Sequence, residues 1–141
     1  VDELLDASRR ASEIERVVSF TNQTLGSGAD AAIYTSRSLV SGSDAASSLE
    51  IGRIVSESLV EIVSSITRQP RYLVAKGGIT SSDIATKALG IKRAMVIGQA
   101  LPGVPAWRCG EETRYPGMTY IVFPGNVGED EALAQIVKKI D

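Results

Sequence analysis

The chain has 141 residues, 43% hydrophobic and 23% charged, with a formal charge of -2. That size and balance describe an ordinary globular domain rather than a disordered chain, and the near-neutral charge argues against a general nucleic-acid binder, whose affinity comes from neutralising phosphates. Histidine is absent and Cys109 is the lone cysteine, which excludes Ser-His-Asp and Cys-His catalysis, histidine-ligated zinc and an internal disulfide within the chain.

The elements can be read in chain order. Leu4, Leu5, Ile14, Val17 and Val18 share one helical face, and Gly26-Ser27-Gly28 closes that helix. Ala31-Ala32-Ile33-Tyr34 is a short apolar run between turn residues and predicts a buried strand. Positions 36–48 are rich in serine and glycine and predict a loop. Ile51, Ile54, Val55, Leu59, Ile62, Val63 and Ile66 keep helical spacing, with Ser47 and Glu50 as an expected capping box and Pro70 as the stop. Tyr72-Leu73-Val74-Ala75 and Ala94-Met95-Val96-Ile97 predict strands, separated by a short helix from Ser81 to Ala88 that Gly90 ends. The stretch from Ala100 to Gly117 holds Pro102, Pro105 and Pro116 and is expected to be irregular. Thr119 to Phe123 has strand composition, and Leu133, Ile136, Val137 and Ile140 line a terminal helix.

The strands are continuously apolar, which suggests burial on both faces. Alternation of such strands with helices predicts an α/β fold: a mainly parallel sheet flanked by helices in three layers, forming a single domain over 1–141. No apolar run approaches the ~20 residues needed to cross a bilayer. The opening Val1-Asp2-Glu3-Leu4 lacks the basic region and apolar core of a signal peptide. A cytoplasmic protein without a membrane partner is expected, and the absence of an initiator methionine suggests a trimmed piece.

Three glycine loops are expected at the C-terminal ends of strands, the edge at which open sheets bind ligands. The first is Lys76-Gly77-Gly78-Ile79-Thr80-Ser81-Ser82-Asp83. Its paired glycines permit close backbone approach, its hydroxyls can cap a helix or bind an oxygen, and the helix behind it offers free N–H groups to an anion. Lys76 can add a cation, and Asp83 is a candidate for holding magnesium. The stretch is neither a P-loop nor a Rossmann fingerprint, and a plain strand-to-helix turn uses the same residues. The second loop, Pro124-Gly125-Asn126-Val127-Gly128, is followed by Glu129, Asp130 and Glu131, which make it the poorer anion site. The third runs from Gly98 to Arg108. In this region Trp107 or Tyr115 could pack on a base, and Arg108 or Arg114 could reach a phosphate; a rigid proline-rich cover is the plainer reading. Arg37 is a further candidate for the same edge, and Cys109 reads as a passive thiol.

The runs Tyr72–Asp83, Gly98–Arg108 and Phe123–Gly128, taken together and in this order, resemble the C-terminal nucleotide-binding domain of the four-carbon acid sugar kinase family. Some members carry the older label type III effector Hrp-dependent outers. The resemblance implies ATP-dependent phosphorylation of sugar acids such as threonate and erythronate to the 4-phosphate. It also implies a longer two-domain protein, with the sugar acid on an N-terminal domain and ATP, as its Mg2+ complex, on this one. Gly77, Gly78, Ile79, Thr80 and Gly125 are then the expected nucleotide contacts. Many relatives have a Lys-Ser-Gly-Gly type of loop where this chain has Pro124-Gly125-Asn126. The partners implied are ATP and the sugar acid, with a homo-oligomer possible and the isolated chain inactive. Two other readings stay open: a stand-alone nucleotide- or phosphate-binding module, and a structural protein whose glycines only turn the chain.

Overall fold

The computed structural model describes residues 1–36 and 40–140, so the Arg37 candidate lies outside the described residues. The chain divides into two compact units, Val1–Gln69 and Pro70–Asp141.

The first unit is helical. Its first helix is broken in two, α1 (Asp2–Leu5) and α2 (Arg10–Gly26). Asp6 makes the break: its carboxylate accepts from the Ser8 amide and hydroxyl and from the Arg9 guanidinium. Those bonds, led by the Ser8 hydroxyl, hold its pKa down at about 2. Helix α3 (Ala45–Ser65) starts earlier than the 36–48 loop reading allowed. Its capping box joins Asp44 to Ser47 rather than Ser47 to Glu50, because Asp44 is the residue in extended conformation with a short carboxylate facing the first turn. Leu4, Ile14 and Ile62 form the buried centre, with Val17 and Val18 packed on it. Asn22 fastens the end of α3 by accepting from the Thr67 and Arg68 amides. The expected strand at Ala31–Tyr34 does not form among the described residues. Tyr34 is 85% exposed, and the run has the composition of a strand without a paired neighbour to satisfy its backbone.

The second unit carries the sheet. Strands β1 (Tyr72–Lys76), β2 (Ala94–Leu101), β3 (Val104–Cys109) and β4 (Thr119–Phe123) lie in the order β1-β4-β3-β2. β1 pairs with β4 in parallel, whereas β2–β3 and β3–β4 are antiparallel. The sheet is therefore mixed and mostly antiparallel, not mainly parallel. The reason is the supposedly irregular proline stretch. Pro102 and Gly103 form a tight hairpin turn, with Gly103 at φ +78°, and a two-residue connection can join only antiparallel strands. Nor did the apolar run in β2 signal burial, since Met95 and Val96 are 69% and 66% exposed.

Helices cover both faces and make three layers. Ile121 and Phe123 of β4 pack with Val104 and Ala106 against Ala132 and Ile136 of α5 (Ala132–Ile140). Leu133, expected on that buried face, is exposed, and Ala132 takes its place. Side chains alternate along a strand, so Tyr120 of β4 faces the other way. There it meets α4 (Gly78–Asp83), which starts three residues before the expected helix and continues as a π-helical turn, Ile84–Ala88.

Candidate functional site

β1 and β4 are parallel neighbours, so the loops that leave their C-terminal ends share one edge of the sheet. The Gly77 amide lengthens the ladder by donating to the Phe123 carbonyl at 2.8 Å. Gly77 then adopts φ +104° and ψ +142°, a conformation that a side chain would strain, and the chain turns directly into α4. A Cβ placed on Gly125 would sit 3.8 Å from the Gly77 Cα. The first two glycine loops thus face each other backbone to backbone. Lys76 spans the pair, with Nζ 4.2 Å from the centre of the Phe123 ring and 3.5 Å from the Gly125 carbonyl oxygen.

The start of α4 has no side-chain cap. Gly77 N–H is taken by Phe123, and Ser81 N–H donates to the Gly77 carbonyl at 2.9 Å. Gly78, Ile79 and Thr80 hold the first-turn N–H groups, which a helix cannot satisfy internally. The Ile79 side chain is exposed.

Two candidates from this loop have other duties. Ser81 is buried, and its Oγ lies 2.7 Å from both the Ala75 and Gly77 carbonyls. Its own carbonyl accepts from the Tyr120 hydroxyl at 2.7 Å. Ser81 therefore ties β1, the loop and α4 together and is not a free oxygen ligand. Burial pushes the Tyr120 phenol well above its ordinary pKa and keeps it a neutral donor. Sequence reasoning passed over this residue; a tyrosine leading into the apolar run Ile121-Val122-Phe123 was the available signal. Asp83 ends α4 rather than starting it, and its Oδ1 is 2.9 Å from Lys87 Nζ. Among the described residues no group of three or more His, Cys, Asp or Glu could hold a metal ion.

The third loop is the β2–β3 hairpin, and β2 runs in the same direction as β4. Its tip therefore reaches the same edge: a Cβ on Gly103 would lie 3.5 Å from Val127 of the second loop. Trp107 and Arg108 lie within β3, not in a loop. Trp107 is half-buried on the α4 face, its ring centre 6.0 Å from that of Tyr120. Tyr115 is buried beneath the Arg114 guanidinium, 5.5 Å from its ring centre, and offers no free face for a base. Cys109 is buried, which raises its thiol pKa, in keeping with a passive role. Beside the glycine edge, a cavity of about 420 Å³ is lined by Gly78, Ser82, Ala85, Val96, Trp107 and Val122.

Positions 1–133 match the family model described as the nucleotide-binding C-terminal domain. The chain belongs to that family. A curated relative, 3-oxo-isoapionate kinase of Paraburkholderia graminis, is 28% identical over 140 residues, 89% of this chain and 29% of the kinase. Among solved structures, a Salmonella typhimurium LT2 protein provisionally described as a tRNA synthase superposes with a TM-score of 0.71 at 15% identity, covering 99% of this chain and 34% of that one. A Bordetella bronchiseptica domain of unknown function, solved as a domain-swapped dimer with bound citrate, gives a TM-score of 0.60 at 20% identity, covering 98% and 30%. These likenesses bear on fold, and the chain spans about a third of each relative's length. A nucleotide-binding domain related to a kinase agrees with the resemblance to four-carbon acid sugar kinases. No helix of the described residues is long and apolar enough to cross a membrane.

Proposed function

We propose that this chain is the ATP-binding C-terminal portion of a longer two-domain kinase that phosphorylates a four-carbon sugar acid of the threonate or erythronate type. The observation that carries the reading is the pair of bare backbone loops at Gly77 and Gly125, close enough that a Cβ added to Gly125 would sit 3.8 Å from the Gly77 Cα, beside an uncapped helix start. Phosphate oxygens need N–H donors and room for close approach, and this edge offers both. In this account the amides of Gly78, Ile79 and Thr80 donate to the nucleotide phosphates. Lys76 supplies positive charge between the loops, and Gly125 bounds the slot from β4.

Phosphoryl transfer requires positioning and charge neutralisation more than covalent chemistry. Those are the tasks these residues are suited to. Mg2+ would arrive with ATP, since magnesium usually keeps several waters and is held largely by substrate phosphates. The group that orients the sugar hydroxyl belongs to the part of the protein that binds the sugar acid.

The test uses the longer protein with ATP, Mg2+ and a panel of sugar acids containing threonate, erythronate and 3-oxo-isoapionate. Phosphorus NMR should show ADP and a sugar-acid phosphate, while the 141-residue chain alone yields neither. Nucleotide binding without transfer to any member of the panel would replace the kinase with a binding module.

A further inference from the structure

Resting on the nucleotide reading, we infer that the cavity on the α4 face is the seat of the nucleoside, with the base stacked on Trp107. The sheet is wider than the helix that covers this face. α4 lies over β1 and β4, and the cavity opens beside it, with Trp107 of β3 and Val96 of β2 in its lining. Trp107 of β3 is in register with Tyr120 of β4 on one side and with Val96 of β2 on the other. Its ring is tilted 37° to that of Tyr120, so Tyr120 braces it from one side and leaves it facing the cavity. Val96 and Ala85 supply apolar wall beside the ring, and Ser82, Thr86, Lys92 and Arg93 make the polar and charged part of the lining. A flat aromatic ring with apolar neighbours suits a heterocyclic base, which gains from stacking whatever its hydrogen-bond pattern.

Position favours the same occupant. Gly78 belongs both to the cavity lining and to the first glycine loop. Trp107 is level with Tyr120, two residues along β4 from Val122 at the loop end, or roughly 7 Å at 3.3 Å per residue. That separation is about what a ribose spans between base and phosphate. The volume of about 420 Å³ lies within the usual range for a small-molecule site. The π-helical turn widens the helix where Ala85 and Thr86 meet the cavity, and such turns recur at functional positions.

Trp107 is the single tryptophan in the chain, so its fluorescence reports on this cavity alone. Adenosine and Mg-ATP should each change its emission saturably, whereas inorganic tripolyphosphate should bind without changing it. Trp107→Leu and Val96→Glu should each weaken ATP about tenfold or more, in line with the loss of a base–aromatic contact, and leave tripolyphosphate affinity unaltered. Val96 is exposed, so its variant tests the site without disturbing the core. Calorimetry separates the two ideas. If ATP binds while Trp107 emission and the Val96→Glu affinity stay constant, the base lies elsewhere and the nucleotide reading survives. If ATP gives no heat, both fail. Emission that shifts with protein dilution and not with adenosine would assign the cavity to a second copy of the chain and overturn the proposal.

Discussion

The two faces of the sheet in the second unit are built to different standards. On the α5 face, Val104, Ile121, Phe123 and Ile136 are at most 2% exposed, and exposure on that side is left to the outer end of the sheet, where Met95 of β2 is 69% exposed. On the α4 face, coverage stops at β4. Trp107 is half-buried, Val96 is open, and a cavity occupies the remainder. Both faces draw on the same strands, so composition alone does not explain the contrast. One face is spent on stability, and the other keeps apolar and aromatic surface available next to a polar backbone edge, the mixture that ligand sites use.

That contrast can be broken or sharpened by substitution. Ile136→Ala on the α5 face should cost about 2–5 kcal/mol, the usual cost of a cavity at a fully buried aliphatic position, measured by urea denaturation. A loss under 1 kcal/mol would mean that α5 is loosely held. Tyr120→Phe removes the hydroxyl that ties Ser81 to β4 and should cost about 1 kcal/mol, while freeing the glycine loop to exchange its amide protons faster. Gly77→Ala should cost about 1 kcal/mol through its positive φ, with no clash, since the nearest side-chain atom would be 3.7 Å away. Val96→Ser on the open face should change stability by no more than about 0.5 kcal/mol. If it cost as much as Ile136→Ala, the open face would be a second core and the comparison would collapse.

How much of this could be read beforehand depended on what kind of signal each feature leaves. Helices α2, α3 and α5 and strands β1 and β4 were legible because apolar spacing reports local periodicity directly. Sheet direction was not, because it is decided by connections. Pro102-Gly103 is a turn signal in its own right, but Pro105 and Gly98 nearby disguised a hairpin as an irregular loop. The strand expected at Ala31–Tyr34 shows the converse: apolar composition marks a segment able to pair, and pairing needs a neighbour that local sequence does not specify. At the site, Gly77 and Gly125 were named from their motifs, and their confrontation across the β1–β4 edge follows from the parallel register. The buried Ser81–Tyr120 bond was not legible, since it joins residues 39 positions apart. Trp107 and Tyr115 were both named as residues able to pack on a base, beside the plainer reading as a cover for the sheet edge, and the structure separates them: Trp107 lines the cavity and Tyr115 is buried.

The most direct test of the account is a titration of the chain with Mg-ATP beside its Gly78→Asp variant. A Cβ at Gly78 meets open space and its φ is not positive, and a carboxylate in the first turn of a helix is mildly stabilising. The substitution therefore leaves the fold alone and places negative charge where the phosphates are proposed to sit. The account predicts unchanged or slightly raised stability and at least a tenfold loss of ATP affinity. Equal affinity in the two proteins would contradict it.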